Sequence, residues 1–169
     1  MSNVTTGHVI GQDGSDTRQK AEVRGIAAGT VILTLDGALP VEFLSPGDRI
    51  ITREGMRVVR EVRVHRYSGP AIRVSSGALG HDRPEQDLVL PEDTMILLRD
   101  WRARALFGKA QATVPIARIA DGEFIAPTRV LSMRLYDLRF DTPQEVYAEG
   151  LELACEAVEI AAETKIAAE

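Results

Sequence analysis

The sequence has few of the residues that usually carry catalysis, metal binding or membrane insertion. Its 169 residues include one cysteine, Cys155, and three histidines, His8, His65 and His81. A single cysteine excludes an intrachain disulfide framework and a metal site built from several cysteines. No apolar run approaches the ~20 residues that a helix needs to span a bilayer. The first residues also lack the apolar centre of a secretory signal.

Composition and charge narrow the class of protein further. The hydrophobic fraction of 44% and the charged fraction of 27% are typical of globular chains, and the length suits one domain with its own core. The net charge of −5 disfavours nucleic acid, because phosphate binding usually needs a basic face. We therefore expect no nucleic-acid partner, no membrane span, no cofactor and no metal. The default location is cytoplasmic, with secretion independent of a signal peptide as the alternative.

One region is nevertheless rich in arginine. Its members are Arg57, Arg60, Arg63, Arg66 and Arg73. Valines alternate with them, as on the solvated side of β-strands, and no aromatic platform accompanies them. We interpret these arginines as a solvated face rather than a nucleic-acid surface.

The amino-acid composition changes twice along the chain. Residues 1–22 are polar and predict a flexible lead-in. Residues 23–150 consist of short β-branched runs between turn signals, which predicts an all-β domain. Residues 151–169 are rich in Ala, Glu, Leu and Ile, and their apolar positions fall near helical spacing, which predicts an added C-terminal helix.

Local signals predict several elements inside the β domain. Asp36 and Gly37 form a two-residue hairpin turn between strands, and Pro46 and Gly47 mark a second turn. Longer strands are predicted at 56–67 and 130–140, and one or two helical turns at 101–107.

Four segments, in this order, are similar to the blocks of bacterial Hint (Hedgehog/intein) domains of the Hint_2 type. They are GTVILTLDGALPVEFLSPGDRI (29–50), LVLPEDTMILL (88–98), LFG with VPIA (106–117), and YDLRF with EVYAEG (136–150). The resemblance covers most of the chain from residue 25 to residue 150. It implies a horseshoe-like β fold of hairpins.

Members of this family process themselves by an acyl shift. A cysteine or hydroxyl attacks the preceding peptide carbonyl, and a histidine in the second block protonates the departing amine. The resemblance places Gly25 at the nucleophile position and Asp93 at that histidine. It places Leu90 where Ser or Thr is usual, and Gln144, or Pro143 with a one-residue gap, at a later histidine. No catalytic residue is therefore expected.

Other nucleophiles were weighed against simpler roles. Thr30 fits a strand and Ser45 initiates a turn, and a hydroxyl without a nearby imidazole is a weak nucleophile. Cys155 is either a reactive thiol or, on an apolar helical face, a buried small hydrophobe, and the second interpretation is favoured.

Two constellations of titratable residues were also weighed. A metal site from His65, His81, Asp82 and Asp93 requires distant strands to converge, and nothing in the spacing indicates it. Glu92 and Asp93 are adjacent, so on a strand they face opposite sides, and a solvated loop accounts for them better than an acid–base pair.

These observations predict a Hint-type domain without self-splicing or autoprocessing activity, used for binding a protein or peptide or as a structural module. The first alternative is residual self-cleavage near residues 24–30 by a non-standard nucleophile. The second is a homo-oligomer in which Leu151, Val158 and Ile166 of the predicted helix pack against a copy.

Overall fold

The computed structural model describes residues 23–160, which form two antiparallel β-sheets and one short helix. The predicted all-β class is confirmed. The helix α1 spans Trp101–Phe107, and short 3-10 turns lie at Val41–Phe43 and Ile116–Ile119. The strands are β1 (Ile26–Ala27), β2 (Val31–Thr34), β3 (Gly37–Pro40), β4 (Arg49–Thr52), β5 (Gly55–Val58), β6 (Glu61–Val74), β7 (Leu88–Pro91), β8 (Met95–Leu98), β9 (Ala112–Pro115), β10 (Ile125–Arg139), β11 (Gln144–Ala148) and β12 (Leu151–Cys155).

The two sheets are built from sequence-local hairpins joined by long-range pairings. The first sheet has the order β1-β10-β6-β7. The second has the order β3-β2-β4-β11-β12-β8-β9, with β5 added to β4. The strand β11 pairs with β2 at Ala148 and with β4 at Val146. It therefore joins the early hairpins to the end of the domain.

The core lies between the sheets and is formed by aliphatic side chains from almost every strand. Burial of one such side chain contributes about 1.5–3 kcal/mol. The largest fully buried side chains are Phe140, Ile32, Ile50, Leu90, Ile96, Ile116, Ile125, Leu135, Leu138, Leu151, Leu153 and Gln144.

The longest pairing joins β6 to β10. It runs from Glu61 opposite Arg139 to Val74 opposite Ile125, with a bulge between Val130 and Met133. The sequence predicts shorter strands, at 56–67 and 130–140. The boundaries were wrong because strands this long are held by pairing with each other rather than by local propensity.

The helix α1 begins and ends where its local signals predict. The side chain of Asp100 accepts a hydrogen bond from the backbone N–H of Arg102 at 3.0 Å. Gly108 ends the helix in the left-handed conformation with φ 66°. The predicted helical turns at 101–107 are therefore confirmed, as is the strand Arg49–Thr52 between its two turns.

The predicted C-terminal helix is wrong over residues 151–160. Leu151–Cys155 is the strand β12, which pairs with β11 on one side and with β8 on the other. Glu149 and Gly150 both have positive φ, 49° and 78°, and form a two-residue turn between β11 and β12. Helix propensity is a weak preference, and pairing on both edges outweighs it. Residues 161–169 lie outside the described residues.

Two further predictions meet the limits of the described chain. The predicted lead-in, 1–22, lies outside the described residues, as does Ile166. Leu151 is fully buried and Val158 is half-buried in extended chain, so neither forms the helical face predicted for self-association. Between residues 23 and 160, no helix is long and apolar enough to cross a membrane.

Candidate functional site

A cleft of about 420 Å³ lies where the first and last strands of the domain meet. One wall is β1 with the residues just before it, and the opposite wall is the end of β12. The floor is the stretch of β10 from Tyr136 to Leu138, and Asp93 and Thr94 from the turn after β7, Met95 at the start of β8 and Pro115 at the end of β9 complete the lining. The cleft therefore gathers residues from five separate parts of the sequence.

Gly25 lies in this cleft in a backbone conformation that suits glycine alone. Its φ is 128°, in the region that residues with a side chain rarely adopt. A Cβ atom at this position would meet the Cβ of Leu135 at 2.9 Å and the backbone of Tyr136 at 3.2 Å. Both the dihedral angle and the space are therefore incompatible with a side chain here unless the backbone moves. The cleft has no side-chain nucleophile at residue 25.

Cys155 also lines the cleft, but its thiol is buried. The residue is 7% exposed. Burial raises the pKa of the thiol far above its ordinary value, and the charges of Asp137, Glu156 and Glu145 raise it further. Because the thiolate is the nucleophilic form, this shift in the pKa lowers the nucleophilicity of the cysteine. The favoured prediction of a small buried residue agrees with this burial, although Cys155 lies on a strand rather than on a helix.

An ion pair beneath the cleft ties the floor to the chain that follows β12. The Nη2 atom of Arg139 lies 2.9 Å from Oδ2 of Asp137, and both side chains are less than a tenth exposed. Nη1 of Arg139 also donates a hydrogen bond to the carbonyl oxygen of Ala157 at 3.2 Å. Backbone bonds from Phe140 to Glu156 and from Val158 to Phe140 continue this attachment. The segment after β12 is thereby fixed beside β10.

A second ion pair closes the edge of the cleft. Arg24, which directly precedes Gly25, binds the carboxylate of Glu156, which directly follows Cys155. Both side chains are partly exposed, so water screens this pair more than the pair beneath it. Its effect is positional, because it holds the chain entering the domain against the chain leaving it. Neither ion pair was predicted from the sequence.

The four positions named by the resemblance do not all meet in the cleft. Gly25 and Asp93 both line it. Leu90 is fully buried in the core, and Gln144 is buried beneath the β4–β5 hairpin. The amide of Gln144 accepts a hydrogen bond from Thr52 Oγ1 at 3.1 Å and donates one to Thr142 Oγ1 at 2.8 Å. Gln144 therefore has a structural role in this conformation, and Pro143 beside it is exposed.

The other nucleophile candidates lie outside the cleft. Thr30 is 2% exposed and, among the described side chains, its hydroxyl is the buried group without a hydrogen-bond partner. Ser45 is exposed in its turn, where its backbone N–H donates to Asp48 Oδ2 at 2.8 Å. Thr94 was not singled out in the sequence, yet it lines the cleft beside Asp93.

The remaining titratable candidates are dispersed. His65 is exposed on β6, and His81 pairs with Asp82 at 3.2 Å on an exposed loop. His8 lies outside the described residues. Within the described part of the chain, no group of three or more His, Cys, Asp or Glu side chains is arranged to hold a metal. Glu92 and Asp93 are half-buried in the turn after β7.

Four of the five clustered arginines are paired with carboxylates. Arg57 pairs with Glu54, and Arg60 with Asp141. Arg63 pairs with Glu61, which lowers the pKa of that carboxyl through its hydrogen bond. Arg73 lies 3.9 Å from Asp87. Arg66 differs, because it lies directly opposite Arg134 in the β6–β10 register.

The architecture is similar to that of solved inteins and intein-like domains. The chain is similar in structure to the bacterial intein-like domain from Clostridium thermocellum, with a TM-score of 0.55 and 15% identity over 79% of this chain and 99% of the other. It is also similar to the gp41-1 intein, with a TM-score of 0.52 and 11% identity over 76% and 96% of the two chains. At such low identity these matches establish a shared fold.

The sequence itself identifies the family. The model of the Hint domain family matches residues 25–160. The chain therefore belongs to the Hint domain family. No curated protein matches it significantly. The match ends beyond β12, so the family domain includes the strand that composition had predicted as a helix.

Proposed function

We propose that this Hint domain does not process itself and instead serves as a binding or structural module. The observation that carries this proposal is Gly25. A self-processing reaction at this point needs a side-chain nucleophile, and the backbone at residue 25 has neither the dihedral angle nor the space for one.

The other groups around the cleft support the same conclusion. At the position that the resemblance assigns to a histidine, Asp93 offers a carboxylate in place of the imidazole that would protonate the leaving amine. The thiol of Cys155 is buried, and its raised pKa keeps it protonated. What persists is a cleft of about 420 Å³ with both apolar and polar walls, a size that fits a small ligand or a short peptide.

The alternative is residual cleavage near residues 24–30 by a non-standard nucleophile. It requires a nucleophile to attack the carbonyl carbon of residue 24 while the bond to the nitrogen of Gly25 breaks and that nitrogen takes a proton. The presence of Cys155 and Thr94 in the same cleft as Gly25 favours this alternative over cleavage elsewhere.

Intact mass spectrometry separates the two. The chain with an N-terminal tag is incubated for a prolonged period alone, with a thiol and with hydroxylamine, which would release an ester or thioester. We expect an unchanged mass in all three conditions. A product that begins near Gly25 would contradict the proposal, and its loss in Cys155→Ala or Thr94→Val would identify the nucleophile.

A further inference from the structure

The outer part of the β6–β10 pair projects into solvent on both faces. We call residues 64–70 of β6 and 127–134 of β10 the outer ribbon. Neighbouring residues on β6, among them His65 and Arg66, are both exposed although they point to opposite faces. Leu131 at the bulge is 88% exposed. An isolated two-stranded ribbon is marginally stable in water. The exposed side chains of the outer ribbon are therefore available for contact with a partner protein.

The outer ribbon carries positive charge without acidic residues. It contains Arg66, Arg129 and Arg134 and no Asp or Glu, in a chain whose net charge is −5. None of these three arginines forms an ion pair or side-chain hydrogen bond with another residue between 23 and 160. Arg66 and Arg134 are register partners, and like charges in that position destabilise an antiparallel pair. Stability therefore does not account for the pair.

The three arginines lie on one face of the outer ribbon. Arg134 is opposite Arg66, and Arg129 is opposite Pro70, four residues along β6 and on the same side of that strand. On β10 this face continues to Tyr136, which lies two residues beyond Arg134 and lines the cleft. A partner that follows the basic face therefore approaches the mouth of the cleft.

Both backbone edges of the outer ribbon lack a neighbouring strand within the described chain, because β1 pairs with β10 only at Leu135 and Tyr136. The edge of β6 is the one that carries Arg66. β10 pairs with one side of β6, while β7 covers the other side only from Ala71 to Val74. Along residues 64–68 no described strand takes up the outward N–H and C=O groups. Such an edge is a template for the addition of an extended peptide.

We propose that the outer ribbon binds an acidic, extended segment of a partner protein, which adds as a strand along the free edge of β6. Alternate side chains of the added strand fall on the face of Arg66 and Arg134, so acidic residues at those positions compensate the unpaired charges. A single-stranded nucleic acid fits less well, because bases stack on successive aromatic rings and Tyr67 is the one Phe, Trp or Tyr residue of the outer ribbon. This inference rests on the binding role proposed above and names its partner.

Fluorescence anisotropy with synthetic peptides tests the proposal. The probe is a labelled peptide of alternating Glu and Val, about eight residues long, which is the length of a typical strand. We expect saturable binding that weakens with salt, and no binding of the matched peptide with Lys in place of Glu. We expect methylation of alternate backbone nitrogens in the Glu peptide to weaken binding about tenfold or more. Equal binding of the Lys peptide or of the methylated peptide would overturn the proposal.

Variants of the full chain localise the binding. Arg66→Glu is expected to weaken binding of the Glu–Val peptide about tenfold or more, and Arg66→Gln by a smaller factor. Arg66→Glu creates an opposite-charge pair with Arg134, so the melting temperature is not expected to fall. The matched control is Arg104→Glu, an exposed arginine on α1 that has no carboxylate partner within the described residues. An unchanged affinity in Arg66→Glu, or an equal loss in Arg104→Glu, contradicts the assignment.

Two further probes compare other polyanions with the peptide. A single-stranded oligonucleotide or a vesicle of anionic phospholipid that binds through Arg66, while the Glu–Val peptide does not, would overturn the assignment to a peptide. Failure of this inference is distinct from failure of the proposed function, because self-cleavage is followed by intact mass and peptide binding by anisotropy.

Discussion

The two halves of β10 differ in the burial and pairing of their charged side chains. At one end, Asp137 and Arg139 are buried and bound to each other. At the other, Arg129 and Arg134 are exposed, and Arg134 faces another arginine. A charge removed from water must be compensated, whereas an exposed one is screened. The charged residues of the buried half are therefore constrained by the stability of the fold. Those of the exposed half are not, and they are available to bind a partner.

The largest effect is expected at the buried end. Asp137→Ala removes the buried partner of the Arg139 guanidinium and leaves it the exposed carboxylate of Glu159, at 3.5 Å, and the carbonyl oxygen of Ala157. Breaking a buried pair costs about 3–5 kcal/mol of unfolding free energy, and the remaining partners place the expected loss at the lower end of that range. Urea denaturation measures this loss. The control is Asp141→Ala, which removes the exposed pair with Arg60 and is expected to cost at most about 1 kcal/mol. Equal losses in the two variants would show that burial does not distinguish the pairs.

The next effect concerns the cleft. Gly25→Ala or Gly25→Cys forces a side chain into an unfavourable dihedral angle and against Leu135, and we expect a loss of about 1–3 kcal/mol. Gly29→Ala is the matched control, because Gly29 also has positive φ, 87°, but has open space around its Cβ position. The difference between Gly25→Ala and Gly29→Ala reports the steric contact alone.

Gly25→Cys is also expected to show no cleavage by intact mass. The cleft then holds a thiol at residue 25 as well as that of Cys155, but among its lining residues between 23 and 160 there is still no histidine. A cleaved product from this variant would show that the scaffold lacks only its nucleophile.

A smaller effect is expected from Cys155 at alkaline pH. The folded pKa of this thiol lies above its ordinary value of 9.0, so the folded state holds the proton that the unfolded state loses. The stability contributed by the neutral thiol is complete below pH 9 and falls as pH rises above it, by about 1.4 kcal/mol per pH unit for one group. Cys155→Ala is expected to flatten this slope in denaturation curves. A parallel slope in the variant would assign the alkaline loss to other groups.

The smallest effect is expected at the exposed end. Arg66→Glu replaces a repulsive cross-strand pair by an attractive one, and such pairs contribute roughly 0.2–1 kcal/mol. The melting temperature is expected to rise slightly and the gain to shrink with added salt. A fall in melting temperature would mean that Arg66 stabilises the ribbon through contacts other than charge.

The sequence predicts those features that local chemistry determines. Asp100 and Gly108 bracket α1 with a cap at each end, and Asp36 with Gly37 marks the β2–β3 hairpin, so both elements follow from a few neighbouring residues. The predicted turn was wrong by one residue, because the turn residues are Leu35 and Asp36, and Gly37 begins β3 opposite Thr34. The order of the four family blocks predicted the overall fold. The β11–β12 hairpin could have been predicted from Glu149 and Gly150, which form its turn. The Ala- and Glu-rich composition of the residues after this turn favoured a helix instead.

The ion pairs at the cleft follow from no local pattern. Asp137 and Arg139 are two residues apart, a spacing that on a solvated strand would simply place both in water. They are buried because β1 and the segment after β12 cover β10. The contacts with β1 join residues more than a hundred positions apart, since Ile26 pairs with Tyr136. Arg24 and Glu156 are likewise distant in sequence. Long-range pairing of this kind is set by the whole topology rather than by any window of residues.

The contact between Arg24 and Glu156 also has a mechanical consequence. The chain enters the domain at residue 24 and leaves it at residue 156, close to the point of entry. The folded domain therefore adds little to the end-to-end length of the chain. Tension applied along the chain therefore acts first on this one contact and on the two-residue strand β1, which pairs only with β10. The bonds that fix residues 156–158 beside β10 share this load, and the eight-stranded sheet is expected to bear it only after these contacts open. The entering and leaving segments of the domain are thus held together at one place, and the cleft lies at that place.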